Sequence, residues 1–368
     1  MLTIFGLAIA IMAYCIITTI INSYYASADI APPDRLVTRS SVSIIFDLPL
    51  AYKNKIEKVP GVLSVTYANW FGGIYKNDPK NFFANFAVSP ENFLEMYTEY
   101  IIPPEQKDMY LKEKNSCLVG QKLADRFGWK IGDPIVLTGQ IFPGDWEFVL
   151  RAIFKGREPG VDENAMFFRW DYFDEELKKT TPGMAGGVGW YVIKIDNPDN
   201  AAAISAEIDR LFENSAAETM TETEKSFTLS FIAMMDSIII GLRIMSYLII
   251  GIILLILGNT MAMSARERIS EYALLKTLGF RPGHLLGLIF GESLTIAIVG
   301  GVIGIIMTFP VVETMAQLMQ GFIPSTEVKN STIVLSIIFV VSIGMIASLF
   351  PIYRATKLSI VEGLRKIA

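Results

Sequence analysis

The chain has 368 residues, a formal net charge of −5 at pH 7, 52% hydrophobic residues, one histidine and two cysteines. An acidic balance argues against nucleic acid as a partner, because phosphate contacts need a basic face. Cys15, in an apolar run, and Cys117, far along in polar sequence, make no disulfide framework and have no metal-ligand company.

Leu2 to Ile21 is the first of four apolar runs; the others are Ile244 to Met263, Leu285 to Phe309 and Thr332 to Ile352. Each is long enough to cross a hydrocarbon core of ~30 Å as a helix, and none shows the period-2 alternation of a barrel strand. The first run has two readings. Ala26-Ser27-Ala28 resembles the cleavage site of a signal peptide, whereas the length of the run and the lack of a preceding Lys or Arg favour a retained transmembrane helix.

Between the first and second runs lies polar, globular-looking sequence. Residues 23–235 hold 22 Lys and Arg against 30 Asp and Glu, a net of −8, while the remainder of the chain carries +3. Pro49 to Val59 reads as an amphipathic helix with Leu50, Ile56 and Val59 apolar; Pro60-Gly61 ends it and Val62 to Tyr67 alternates as a strand. Residues 70–118 read as a more irregular, aromatic-rich subdomain (Trp70, Phe71, Phe82, Phe83, Phe86, Phe93, Tyr97 and Tyr100), in which the aromatics are core before they are a ligand box. Val119 to Phe127 is expected as a helix, Gly128 and Gly132-Asp133 as turns, and Pro134 to Leu137 and Phe148 to Phe154 as strands. Asp171, Asp174, Glu175 and Glu176 precede Lys178-Lys179; this is a solvated helix start, with calcium as the sharper alternative. Gly189 to Ile195 is a strand, Asn197-Pro198 a turn, and Ala201 to Phe212 a helix with Ile204, Ile208 and Leu211 on one face. Two such helix–strand pairs indicate a small α+β layer domain.

Charge orients the runs. The loop after the second run holds Arg266, Arg268, Lys276, Arg281 and His284, and the C-terminal tail holds Arg354, Lys357, Arg365 and Lys366. The loop between the third and fourth runs has Lys329 with Glu313 and Glu327. Positive residues mark the cytoplasmic side, so both termini are expected inside and the large domain outside. Arg243 then snorkels to outer headgroups.

Catalytic signatures are missing from the sequence. The one histidine falls on the inner side, so no outer Ser–His–Asp arrangement is available. HExxH, CxxC and G-x-x-x-x-G-K-[ST] do not occur. No catalytic, cofactor-binding or metal residues are expected, and any ATP hydrolysis belongs to another polypeptide.

The richest local pattern is Ser264 to Gly283. Ile269, Tyr272, Leu275 and Leu278 share a helical face, with Arg266, Glu267, Glu271 and Lys276 on its flanks; Gly279 caps the helix and Pro282 stops it. This is either an interfacial helix lying on membrane lipids or a helix that enters a cytoplasmic partner's groove. Its run R-E-R-I-S-E-Y-A-L-L-K-T-L-G-F resembles the signature of FtsX/MacB-like ABC transporter permeases. So do Glu292, the third-helix glycines Gly300, Gly301 and Gly304, and the terminal set Pro351, Ala355, Ile360, Glu362, Leu364 and Arg365. Val119-Gly120, Leu123-Ala124, Gly128 and Gly132-Asp133 resemble a MacB-type periplasmic core domain. Against that pattern, an N-terminal amphipathic segment is expected to be missing and the ATPase to be a separate subunit.

The resemblance implies a four-helix membrane protein, 1 + 3, with a large α+β extracytoplasmic domain inserted between helices 1 and 2. Residues 1–22 are then the first transmembrane helix, and 23–235 a MacB-like core domain of two subdomains. Residues 236–368 are an FtsX-like membrane domain with helices about 238–263, 285–309 and 332–352, a coupling helix 264–281 and a cytoplasmic tail 353–368. It also implies a multi-pass inner-membrane permease subunit that works by mechanotransmission, through a stiff second helix continuous from about Thr223. Its partners are a separate ABC ATPase, a second permease chain (identical or homologous), a periplasmic adaptor and membrane lipids. Arg268, Glu271, Tyr272, Leu275, Lys276 and Leu278 would couple to the ATPase, with Tyr272, Leu275 and Leu278 inserted. Gly300, Gly301 and Gly304 would pack helices, within or between chains. Glu292 either pairs with a basic neighbour or helps pack the bundle. Export or extraction of a substrate is the implied role; control of an extracytoplasmic cell-wall hydrolase, as in the FtsX branch, is the alternative.

Overall fold

A computed structural model describes residues 1–158, 160–318 and 328–357. The elements in chain order are α1 (Leu2–Asp29), β1 (Arg35–Ser40), β2 (Leu48–Pro49), α2 (Lys53–Ile56), β3 (Val62–Trp70), β4 (Gly73–Tyr75), β5 (Ala84–Val88), α3 (Phe93–Met96), β6 (Tyr100–Ile101), α4 (Pro104–Lys112), β7 (Ser116–Gly120), α5 (Gln121–Phe127), β8 (Pro134–Gly139), β9 (Gly144–Gly156), β10 (Ala165–Arg169), α6 (Trp170–Thr180), β11 (Gly187–Val188), β12 (Trp190–Ile195), α7 (Ala201–Phe212), β13 (Thr219–Thr223), α8 (Glu224–Met234), α9 (Asp236–Glu267), α10 (Ile269–Thr277), α11 (Pro282–Leu318) and α12 (Asn330–Lys357). The chain divides into two compact units, one of residues 23–234 and one of residues 1–22 with the helices that follow residue 234.

The first unit is an α/β domain on a mixed sheet of eleven strands, ordered β13-β1-β12-β3-β5-β10-β7-β9-β8-β4, with β6 paired to β9. The β5–β10 and β7–β9 pairs are parallel and the remaining pairs antiparallel. Alternate residues therefore feed two cores, one on each face. Val119, Phe168 and Tyr191 lie in one; Leu118, Phe167 and Ala68 lie in the other. β9 contributes to both because its register slips by one residue. Cys117 pairs with Leu150 but Leu118 with Ala152, so Arg151 is an extra residue that moves Ala152 and Phe154 to the face opposite Phe148 and Leu150.

Several local expectations are corrected by this sheet. The segment 70–118 is not irregular: β5 lies mid-sheet, and Phe71, Phe83 and Phe93 are buried core side chains. Val119 and Gly120 end strand β7, so the helix begins only at Gln121. A side chain at Gly120 would collide with the Glu163 backbone, which is why a glycine joins strand to helix there. On α7, Ile204 and Ile208 are buried, but Phe212 takes the place expected for Leu211, which is exposed. The acidic cluster on α6 is consumed by ion pairs: Asp171 with Arg169, Asp174 with Lys178, Glu175 with Lys114 and Glu176 with Lys179. Asp174 is buried rather than solvated and also accepts the Gly186 amide.

Among the described residues, four helices are long and apolar enough to cross a membrane, Thr3–Ala26, Asp236–Glu267, Gly283–Met315 and Asn330–Tyr353. At 1.5 Å per residue, the 32 residues of Asp236–Glu267 reach ~48 Å, well past a ~30 Å hydrocarbon layer. The helix expected to run unbroken from about Thr223 is instead two, α8 and α9, with Met235 between them outside helical geometry at φ −98°, ψ 6°. Ile360, Glu362, Leu364 and Arg365, with Lys366, lie outside the described residues, as does Glu327.

Candidate coupling site

The glycines of α11 make close packing possible inside this chain. A Cβ on Gly300 would come 2.9 Å from the Ile4 carbonyl oxygen and one on Gly304 2.5 Å from that of Ala8, so both meet the α1 backbone. One on Gly301 would overlap Val340 of α12. Small residues at a four-residue spacing let two helix backbones approach, the usual basis of tight contact in lipid. Polar side chains supply the rest: Cys15 Sγ and Ser336 Oγ lie 3.1 Å apart, Asn22 donates to Thr332 Oγ1 at 3.1 Å, and Ser293 donates to the Gly344 carbonyl at 2.8 Å.

The corner between α9 and α11 is the second feature. Helix α9 runs through Ser264 to Glu267, so the coupling helix is shorter than its expected 264–281 span. Arg268 breaks the helix at φ −96°, ψ 16° and α10 follows. Helix α10 ends in a Schellman motif: the Phe280 amide donates to the Leu275 carbonyl, the Gly279 amide to that of Lys276, and Gly279 has φ +90°. A residue with a Cβ is strained in that left-handed conformation, so glycine fixes where the chain turns toward α11.

The predicted coupling residues do not all face one way. Tyr272 is 6% exposed and packs with Met261, Leu285 and Ile289 inside the helical unit. Leu275 is partly buried against the same cluster. Leu278, in contrast, is 69% exposed, and Leu274 and Phe280 are exposed beside it. Glu271 is exposed and Lys276 half-buried. Arg268 Nη1 donates to Glu292 Oε2 at 3.2 Å, which bears out the pairing expected for Glu292 and ties the α9–α10 junction to α11. Burial, followed by the Glu292 carboxylate, raises the Tyr272 phenol above its usual range. Tyr272 is therefore an internal anchor. The face left open is a ridge of Leu274, Leu278 and Phe280 with charged residues around it. Sequence periodicity missed Leu274 and Phe280 because it groups residues by face without saying which face the chain itself covers.

Among the described residues, four apolar helices in a 1 + 3 order, with an α/β domain after the first, make the architecture of a multi-pass membrane protein. A family model described as MacB-like periplasmic core domain matches residues 1–211, and one described as FtsX-like permease C-terminal matches residues 243–360. The chain belongs to the MacB-like periplasmic core domain family and carries an FtsX-like permease C-terminal region; it is an ABC transporter permease of the MacB/FtsX type. It is similar to the uncharacterized ABC transporter permease MJ1507 of Methanocaldococcus jannaschii, with 25% identity over 352 residues, 91% of this chain and 81% of that protein. It also resembles the macrolide export ATP-binding/permease protein MacB of Bdellovibrio bacteriovorus, 28% identical over 152 residues, which is 41% of this chain but 20% of that protein. The match to the ABC transporter permease YtrF of Bacillus subtilis is 22% over 237 residues, 60% of this chain and 52% of that protein. Among solved structures, the extracellular domain of the noncanonic ABC-type transporter YknZ aligns at TM-score 0.38 and 12% identity, covering 51% of this chain and 99% of that one. The periplasmic region of MacB from Actinobacillus actinomycetemcomitans aligns at TM-score 0.38 and 7% identity, covering 54% of this chain and 92% of that one.

Proposed function

We propose that this permease couples ATP hydrolysis in a separate ABC ATPase subunit to movement of its outer domain, in the service of exporting or extracting a substrate. The observation that carries the reading is the open ridge made by Leu274 of α10 with Leu278 and Phe280 just past its end, beside the exposed Glu267 and Glu271 and the Arg268–Glu292 pair. An apolar anchor inside a charged rim is the anatomy of a helix-in-groove contact. In this reading the ridge enters a groove of the ATPase, Glu271 and Lys276 line its rim, and Tyr272, Leu275 and Arg268 hold α10 in place from behind. The chain has no G-x-x-x-x-G-K-[ST] sequence to hold ATP itself, so purified chain without the ATPase should hydrolyse ATP at background rate.

Both termini and the 264–281 corner are placed in the cytoplasm of a cell with this plasma membrane, and residues 23–234 outside it, on the strength of the Lys and Arg bias. A cysteine introduced at Asp196 should label from outside intact cells and one at Ser270 should not; the reverse pattern overturns the topology. A second permease chain completes the complex, because ABC ATPases act in pairs. Helix α9 is the least covered of the four long apolar helices described, and so has the most surface left for a partner chain or lipid. A substrate or a periplasmic adaptor would be engaged by the outer domain.

The decisive test is copurification with the ATPase. Leu274→Ala with Leu278→Ala should weaken binding by about 2 kcal/mol, roughly thirtyfold, while the chain inserts and folds normally. Wild-type ATPase binding and transport by that double variant would return α10 to an interfacial role on lipid.

A further inference from the structure

The outer domain begins and ends at one place. β1, which follows α1, pairs antiparallel with β13, which leads into α8, and the register sets Leu36 opposite Thr223. Arg35 and Glu224 therefore meet at the end of this strand pair. Arg35 is 4% exposed and every arm of its guanidinium is engaged: Nε donates to Glu224 Oε2 at 2.6 Å, Nη2 to Glu99 Oε1 at 2.6 Å and Nη1 to the Met96 carbonyl at 3.1 Å. Tyr97 closes the group, with its ring 4.4 Å from the guanidinium carbon and its hydroxyl donating to Glu224 Oε1 at 3.0 Å. Burial raises the Glu224 carboxyl above its usual range, and Arg35 opposes that shift.

The same corner is secured elsewhere. Thr223 Oγ1 accepts the Ser226 amide at 3.2 Å and so caps α8. Phe227 of α8 packs on Trp190 of β12, 6.0 Å between ring centroids. Lys225 Nζ lies 3.7 Å from Asp29 Oδ1 at the end of α1. A buried guanidinium with three directed partners fixes geometry more firmly than a surface pair, because losing any partner strands a charge away from water.

We propose that Arg35 is a positioning residue for coupling: it locks the segment arriving from α1 to the segment departing toward α9, so that both membrane-connected ends of the outer domain move as one body. Met235, the non-helical residue just beyond α8, is then where bending is absorbed, and the Arg35 corner is where it is refused. This rests on the permease reading above, and the test separates the two.

The experiment uses the full chain in nanodiscs with its ATPase, dyes on Asp196→Cys and Ser270→Cys, and ATP as the probe; both native cysteines are buried. Wild type should show an ATP-dependent change in energy transfer, and Arg35→Met should lose at least nine-tenths of it. In the same variant without ATPase, amide exchange in residues 224–234 should rise tenfold or more while β12 stays protected. Cross-linking Asp29→Cys to Lys225→Cys in the Arg35→Met background should restore the signal, which mere loss of folding would not allow. If Arg35→Met does not fold, Glu224→Gln, which keeps shape and removes the charge, carries the same expectations. No ATP-dependent change in wild type overturns the permease reading. A full change in wild type with an undiminished change in the variant, or unaltered exchange in 224–234, overturns the role of Arg35.

Discussion

In the outer domain, Phe71 meets the rings of Phe142, Trp146, Phe148, Phe168 and Phe173, with centroids 5.3 to 6.3 Å away. In the helical unit the corresponding closest approaches are made by Gly300, Gly301 and Gly304, with hydroxyl and thiol groups of Cys15, Ser293 and Ser336 between helices. The difference follows from the solvent each unit is built for. Moving apolar surface out of water stabilises the domain at roughly 25 cal/mol per Å². A leucine moved from lipid to protein gains little of this, so helices in lipid are held by close backbone contact and directed polar groups. One unit is specified by bulk and the other by its absence.

Phe71→Ala should break the first half of that contrast with the largest effect. Removing a ring that five others surround is expected to cost about 3–5 kcal/mol, read as faster hydrogen exchange throughout β5, β7 and β10 of the full chain, with α11 and α12 unaffected. Tyr272→Ala and Leu278→Ala sharpen the contrast within one helix. The buried tyrosine should cost about 2 kcal/mol or more, seen as exchange at α10 and α11, whereas exposed Leu278 should stay within about 0.5 kcal/mol. Equal losses from the two would contradict the assigned faces of α10. Gly301→Leu tests the second half by adding bulk where bulk is excluded; overpacking against Val340 should cost about 1–3 kcal/mol, with α11–α12 melting earlier in detergent.

The smallest effect concerns charge. Asp47 is exposed as a whole residue, but desolvation where its carboxyl meets Asn69 raises that carboxyl above the usual range; the group accepts a hydrogen bond from Asn69 Nδ2 at 3.2 Å. A raised carboxyl favours the fold below its unfolded pKa, and that contribution is lost as pH rises through the folded value. Asp47→Asn should therefore gain on wild type at neutral pH, with the gain shrinking as the solution is acidified; denaturation at pH 7 and pH 4 measures it. A gain that grew toward acid would show the carboxylate to be stabilised instead.

Much of the helical unit was legible in advance, since apolar runs about twenty residues long and the E-Y-A-L-L-K-T-L-G pattern are local signals. The strands β3, β8, β12 and helix α7 were legible for the same reason. What escaped was set by contacts distant in sequence. Phe148 to Phe154 alternates as if it had one inner face, and only the extra residue Arg151, opposite the Cys117–Leu118 step, sends its two halves to different cores. Phe86 and its neighbours form strand β5 because β3 and β10 flank them, not through any pattern of their own. Tyr272 was grouped correctly with Leu275 by period, but α11 decides that this face looks inward. Arg35 carried no signal as a lone arginine near a run of prolines; Glu99 and Glu224 reach it from 64 and 189 positions away.

The pairing of β1 with β13 also bears on how such chains diversify. First and last strands of the outer domain are hydrogen-bonded neighbours with Leu36 beside Thr223, and Cα atoms across an antiparallel pair lie only ~5 Å apart. An insertion whose ends nearly touch can be exchanged for a different one without rerouting the helices on either side. The inserted domain is thus cassette-like in its connections: the chain enters and leaves it one strand pair apart. A graft that replaces residues 35–223 by an unrelated domain with equally adjacent ends would leave the helices' own connections intact.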